Sequence, residues 1–273
     1  MLTLLIVSSY EVALKDFPII DKDDTLYAAT KLMEKYGLDR VVVTEKGKVV
    51  GILTTKDIIR KLGLTRTLRA TTSLLHVSSF MTSDPIVLPP NEPLIRSCRI
   101  MLERRVSSIP LVNKEKEPIA LLTKWDLLDV ARSEKAPLSN IMTPNPIYIK
   151  ETDSLLNIRN LMITEGISFL PVVSVDNRLI GIVTVDELAK AFLELHDLLP
   201  AKFRKERIHM IRALDIMNRT IPILQQSDTL GMAAALMKEK GIRGVIVMRG
   251  NEMVGVVTLT DVVAYLVSKD IVT

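Results

Sequence analysis

Aromatic side chains are scarce, at 4% of the 273 residues, with a single tryptophan. Hydrophobic residues still reach 48%, so the core has to be filled by aliphatic side chains and methionine. A nucleic-acid binder would want stacking aromatics or a clustered basic stripe, and the acids are interspersed among the bases instead. The formal charge of +4 is mildly basic, which suits a small anionic ligand and falls far short of a nucleic-acid tail. Cysteine occurs once, as Cys98, which excludes a disulfide within the chain and fits a reducing compartment. Three histidines, His76, His196 and His209, are scattered without metal-ligand spacing. They are read as structural or phosphate-adjacent residues, and no metal is expected. No apolar run has the length of a membrane span, and the run from Leu2 to Val7 lacks the basic start of a secretion signal. A soluble, cytoplasmic protein is therefore expected. A Walker loop, a nucleophile elbow, a paired-cysteine motif and a kinase signature are all missing. The expectation is a binding protein and not an enzyme, with no covalent cofactor.

What is present is a repeat, and repeats fix architecture. The stretch Gly51 to Asp57, GILTTKD, recurs as Ala120 to Asp126, Gly181 to Glu187 and Gly255 to Asp261. Each has a small residue, two apolar residues, a Thr, two variable residues and an acid. Upstream, helix-like runs begin at Leu26, Leu94, Leu155 and Leu230, and a Met follows seven residues on: Met33, Met101, Met162 and Met237. Ala29, Cys98, Ile158, Ala233 and Ala234 fill the same face at helical spacing. Asp24, Asn91, Asp153 and Asp228 are the candidate caps. Gly37, Gly166 and Gly241 are stop signals, with Arg105 in that place in the second copy. Two short apolar runs and a polar turn come next, so each unit reads helix, strand, strand, helix. A short extended run precedes it, as in Ile86-Val87-Leu88 and Ile147-Tyr148-Ile149. The repeats span 12–64, 79–131, 138–193 and 213–267. Residues 1–11 are expected to be a core strand, or else an arm that packs on a partner, 65–78 a linker with a helical centre, and 132–137 the main boundary.

These residues resemble the cystathionine-β-synthase (CBS) domain family. The marks are Met81-Thr82-Ser83-Asp84-Pro85 and Met142-Thr143-Pro144-Asn145-Pro146, the Leu-headed helices, the strands at 109–112 and 170–173, and the Gly-x-x-Thr-x-x-Asp close. Four copies in one chain resemble the γ subunit of AMP-activated protein kinase and its stand-alone microbial relatives. The resemblance implies an α/β (α+β) fold, with the four repeats paired into two Bateman modules, about 1–135 and 136–273, in a disk-like arrangement. One repeat alone has too little apolar surface to bury, so pairing through the sheets is expected.

A strand that turns into a helix offers free N–H groups and the positive end of the helix dipole to an anion. A carboxylate there can accept both hydroxyls of a ribose, and a Thr three residues earlier can donate to a phosphate. The resemblance implies the same roles. The candidate nucleotide-binding residues are Thr54 with Asp57, Thr123 with Asp126, Thr184 with Glu187, and Thr258 with Asp261. The plain alternative is that each Thr ends a strand and each acid caps a helix. Repeats one and four match best, repeat two has Ala120 for Gly, and repeat three has Glu187 for Asp. Arg40 and Arg243 open the middle strands and are candidate phosphate contacts, against ordinary solvated arginines; Lys56 and Lys124 lie inside the motif. The basic run Lys202 to Arg207 reads as a solvated face, or as one that leans toward a phosphate or docks an acidic partner.

The function implied is regulatory sensing of AMP, ADP or ATP. It would be signalled by conformational change to an unidentified protein target, a kinase, enzyme or transporter, with homo-oligomers open. Two alternatives stand beside it: a nucleic-acid-binding or transcription-linked regulator, and a sensor of S-adenosylmethionine-type ligands.

Overall fold

A computed structural model describes residues 7–62 and 67–271. The first helix of each repeat lies where the apolar spacing puts it: Leu26–Tyr36, Leu94–Glu103, Leu155–Glu165 and Leu230–Lys240. The Leu and Met seven residues apart are buried in all four, as period-3.6 patterning requires. The expected caps need correction by one residue. Thr25, Ser154 and Thr229 accept the capping bond, from Ala28, Asn157 and Met232 at 3.1, 3.2 and 3.3 Å. Asp24, Asp153 and Asp228 instead accept from the N–H three residues before them, at 3.2, 2.8 and 2.7 Å, and so close the turn that leads into the helix. Asn91 does not cap; Pro93 holds that position, without a side-chain bond. Gly37, Gly166 and Gly241 end their helices in the left-handed region, at φ of 62°, 73° and 62°. Arg105 takes the same conformation, φ 53°, with a side chain that pays for it.

Every repeat builds its sheet the same way. A short leading segment pairs parallel with the first strand of an antiparallel hairpin, as Ile19–Asp21 does with Arg40–Glu45 and Ile223–Gln225 with Gly244–Arg249. The hairpin's second strand then takes a partner from elsewhere in the chain. Thr82–Ser83, which opens repeat two, pairs with Gly51 and Ile52 of repeat one. Leu14, ahead of repeat one, bridges Leu121 of repeat two through two backbone bonds of 3.0 and 2.9 Å. Likewise Thr143–Pro144 pairs with Gly255 and Val256 of repeat four, and Asn218 bridges Ile182 of repeat three. Neighbouring repeats thus exchange their leading segments. Residues 9–11, expected as part of a strand, instead belong to a helical turn, Ser9–Val12; the first six residues lie outside the described residues.

The exchange explains a departure noted in the motif. A Cβ on Gly51 would stand 2.4 Å from Met81 Sδ, one on Gly181 2.8 Å from Met217 Sδ, and one on Gly255 2.6 Å from Met142 Sδ. In each case the methionine immediately precedes the residue that pairs across. Repeat two has Ala120 at the glycine position, and the residue before Leu14 is Ala13. Glycine therefore faces methionine three times, and in repeat two the two equivalent positions are both alanine.

Two compact units result. One holds residues 18–85 and 147–221, the bodies of repeats one and three; the other holds the segment up to 17, 86–146 and the chain from 222, the bodies of repeats two and four. Each has its own aliphatic core. In the first unit the helix Thr55–Leu62 packs on Val185–Leu198, and in the second Leu127–Ala131 packs on Leu230–Lys240 and on Leu259–Ile271. Within these cores the helix packing joins alternate repeats, whereas the strand exchange joins neighbours.

The first unit also shows how one helix end is closed. Arg159 donates from Nε to Ile59 O at 2.6 Å and from Nη2 to Arg60 O. Thr67 Oγ1 lies 2.8 Å from Lys61 O and 2.9 Å from Leu62 O, and His196 Nε2 lies 3.1 Å from Leu62 O. The last four carbonyls of Thr55–Leu62, which a helix leaves without internal partners, are all engaged by side chains. Burial, and after it the like charge of Arg60, lowers the Arg159 guanidinium pKa from its ordinary value.

Candidate functional site

At each strand-to-helix turn the Thr and the acid meet. Asp57 Oδ2 accepts from the Thr54 N–H at 3.0 Å and from its hydroxyl at 2.6 Å. Asp126 Oδ2 accepts from Thr123 at 2.7 and 2.9 Å, and Asp261 Oδ2 from Thr258 at 2.7 and 2.7 Å. Glu187 Oε2 accepts from the Thr184 N–H at 2.7 Å and from its hydroxyl. The longer glutamate reaches its Thr as the aspartates do. Asp57, Thr123, Asp126 and Thr184 are buried, while Thr54, Glu187, Thr258 and Asp261 are half-buried.

This geometry has a cost for anion binding. A Thr hydroxyl carries one proton. Given to the acid, it is not given to a phosphate. The backbone donors are also engaged: the N–H groups of Thr55, Lys124, Val185 and Leu259 bond to the carbonyls of Asp39, Ser107, Ser168 and Arg243 at 2.8 to 3.1 Å. Asp57 N and Asp186 N lie 3.3 and 3.1 Å from their Thr hydroxyls. The expected cradle of free N–H groups is therefore largely closed by the chain itself, and the plain capping role of the acid is present at all four turns. A ligand's phosphate has to draw on cations or turn a Thr hydroxyl.

The cations are not surface groups. Arg40 is 1% exposed and holds Asp39 with two bonds, Nε to Oδ1 at 2.7 Å and Nη2 to Oδ2 at 2.8 Å. Arg243 is 8% exposed. Neither is the solvated arginine of the plain reading, since a guanidinium is buried only when paired and hydrogen-bonded. Lys56 Nζ reaches Gly166 O at 2.7 Å, and Lys124 Nζ reaches Thr260 Oγ1 at 2.9 Å. In the basic run, Arg204 departs from both expectations. It is buried, and donates to Leu199 O, Leu68 O and Ala70 O at 2.8, 3.0 and 2.7 Å. His196 is fully buried, with ring nitrogens 3.0 and 3.1 Å from Ala70 O and Leu62 O.

Two site residues were missed by sequence reasoning. Thr82 Oγ1 donates to Asp57 Oδ1 at 3.3 Å, and Thr143 Oγ1 to Asp261 Oδ1 at 2.9 Å. Each comes from the exchanged segment. Their Met-Thr pairs were visible, but nothing local says that residue 143 folds onto residue 261. Leu14 and Asn218 hold the equivalent positions beside repeats two and three. Among the described residues no helix is long and apolar enough to cross a membrane, and no three His, Cys, Asp or Glu side chains gather as a metal site.

Four repeats with this hairpin and this helix-opening acid have the make-up of CBS domains. The family profile for the CBS domain matches residues 8–64, 77–133, 138–194 and 213–268, and the chain belongs to that family. Its fold matches those of paired CBS (Bateman) modules. The chain is similar to protein MJ1404 of Methanocaldococcus jannaschii, 27% identical over 94% of this chain and 61% of that one, so it spans under two thirds of that relative. It is also similar to protein MJ1225 of the same organism, 26% identical over 85% of this chain and 88% of the relative. The crystal structure of MJ1225, described as a candidate archaeal homolog of γ-AMPK, superposes with a TM-score of 0.82 at 25% identity, covering 95% of this chain and 99% of that chain. The match to the homoserine O-acetyltransferase of Methanohalobium evestigatum covers 44% of this chain and only 24% of the enzyme, at 27% identity. CBS domains are mostly regulatory and non-catalytic.

Proposed function

We propose that this protein is a regulatory sensor of adenine nucleotides, AMP, ADP or ATP, that reports its ligand state to a protein target by conformational change. The carboxylate at the turn carries the reading. One of its oxygens is fixed by the Thr, so the other is held in a set orientation, as a ribose diol requires. The likeness to a candidate γ-AMPK homolog over nearly the whole chain supports it. In this reading Asp57, Asp126, Glu187 and Asp261 take the sugar, and Thr54, Thr123, Thr184 and Thr258 turn toward the phosphate. Arg243 and Arg40 supply positive charge to the phosphate, each from a buried position in which it already holds other partners, Asp39 among those of Arg40. Chain-order pairs, 1–135 and 136–273, are the working modules, consistent with their exchanged segments. The ligand controls the target only by binding two arrangements with different affinity.

The test is mass spectrometry of small molecules released from purified protein, followed by calorimetry with AMP, ADP, ATP and S-adenosylmethionine. An adenine nucleotide bound in preference to S-adenosylmethionine is expected. No uptake of any adenosine compound at millimolar concentration overturns the reading.

A further inference from the structure

We infer that Thr82 and Thr143 are specificity-determining residues of the sites in repeats one and four, and that they make recognition of the sugar diol depend on the phosphate. The inference rests on the nucleotide reading above. A carboxylate offers about four acceptor positions. On Asp57, the Thr54 N–H and hydroxyl fill two on Oδ2, and Thr82 fills one on Oδ1. On Asp261, Thr258 fills two and Thr143 one in the same way. One position remains on each acid. Arg60 does not change this count: its Nη1 stands 3.8 Å from Asp57 Oδ1, an ion-pair distance too long for a hydrogen bond.

A ribose diol needs two positions. A nucleoside therefore bonds through one hydroxyl, and losing the other costs it little. A nucleotide brings a phosphate that can take the Thr54 or Thr258 proton. When the hydroxyl turns, a position on Oδ2 opens and the second sugar hydroxyl gains its acceptor. No covalent change is involved; one O–H rotates from carboxylate to phosphate. The two exchanged threonines create the linkage, because without them the outer oxygen would accept both hydroxyls unaided. Repeat three provides the contrast. The outer oxygen of Glu187 accepts no hydrogen bond from the described residues. Asn218 stands in the threonine's place and spends its Oδ1 on the Thr220 N–H at 2.9 Å.

The experiment is calorimetry on the full chain carrying Asp126→Asn and Glu187→Gln, which quiets the other two turns while keeping a hydrogen-bonding side chain. The probes are AMP, adenosine and the 2′-deoxy and 3′-deoxy forms of both. Removing either hydroxyl is expected to weaken AMP about tenfold or more, the worth of a hydrogen bond to a charged acceptor, and adenosine by less than about twofold. In Thr82→Val with Thr143→Val the adenosine penalty should rise to match that of AMP. Thr82→Ser with Thr143→Ser keeps both hydroxyls and should behave as the parent, which separates the hydroxyl from packing. Equal penalties for AMP and adenosine in the parent overturn the linkage, as does an unchanged adenosine penalty in the valine protein. Failure of AMP to bind at all strikes the nucleotide reading itself.

Discussion

Gly51→Ala is a substitution whose outcome the exchanged segment decides. Gly51 sits mid-strand with ordinary backbone angles, so alanine should gain stability by lowering the freedom of the unfolded chain, about 0.4–1 kcal/mol. Against that, the new Cβ would lie 2.4 Å from Met81 Sδ, 3.1 Å from Cγ and 3.3 Å from Cβ. The sulfur and Cγ can swing aside by side-chain rotation, but Cβ moves only with the backbone. Overpacking of this kind costs about 1–3 kcal/mol, so the single variant should be destabilised by a net of about 0.5–2 kcal/mol. Met81→Ala alone loses the packing of a half-buried side chain. Together the two changes recreate the Ala120 and Ala13 arrangement that repeat two already uses. The double variant should then be no less stable than Met81→Ala, with a coupling of about 1–2 kcal/mol, as residues in contact show.

Urea unfolding followed by circular dichroism is the assay. The single tryptophan, Trp125, belongs to the other compact unit and would not report this one. Effects that simply add, to within about 0.5 kcal/mol, would refute the pairing of glycine with methionine. Gly255→Ala provides an internal check. Its Cβ would also meet the Thr143 carbonyl at 3.0 Å, so Met142→Ala should rescue it only in part.

Further outcomes are expected. Arg105→Gly should stabilise by about 0.5–1 kcal/mol, because its left-handed φ of 53° costs an L side chain more than glycine loses in chain entropy; Trp125 fluorescence in urea reads the right unit. Arg159→Met should destabilise by about 2–4 kcal/mol, since it strips two helix-end carbonyls, one buried and one partly buried, of their donor; a change under about 1 kcal/mol would show that water replaces it. Arg243→Ala should weaken ATP and ADP binding more than adenosine binding, and equal loss for all three would argue against a phosphate contact. Asp57→Asn is a better probe of the sugar contact than Asp57→Ala, which also removes a cap worth about 1 kcal/mol.

Much of the fold was legible because it is written locally. The Leu-to-Met spacing fixed the buried helix face, and Gly37, Gly166 and Gly241 marked the stops, since both effects act within one or two turns. The cap was misread by one residue because Asp and Thr stand side by side and both bond to backbone N–H groups; only geometry shows which bond closes the turn and which starts the helix. The burial of Arg40 was hidden because its partner, Asp39, is its neighbour and would look the same on a surface. The exchange was not legible at all. Leu14 meets Leu121, and Thr143 meets Val256, across more than a hundred residues, and strands of two residues carry no register signal of their own. Ala120 was the one visible trace, and its meaning depended on Ala13.

The exchange also bears on how a binding event would be reported. Asp57 belongs to repeat one, but its outer oxygen is bonded by Thr82, the first residue of the strand leading into repeat two. A sugar hydroxyl that takes the remaining position on that oxygen shares it with Thr82, and so acts on the neighbouring repeat's leading segment through one hydrogen bond. That segment is lightly held: two residues of ladder and a bond from the Asp84 N–H to Val50 O at 3.2 Å. Segments held by so few bonds open at low free energy, so their exchange should follow small changes in bonding. AMP is therefore expected to alter amide hydrogen exchange at Asp84 by several-fold, and at the matching Asn145, whose N–H bonds to Val254 O at 3.3 Å. Helix amides such as those of Leu26–Tyr36 should stay unchanged. In Thr82→Val the Asp84 response should vanish while the Asn145 response persists. If both persist, the ligand's effect reaches the strand by some route other than the threonine hydroxyl.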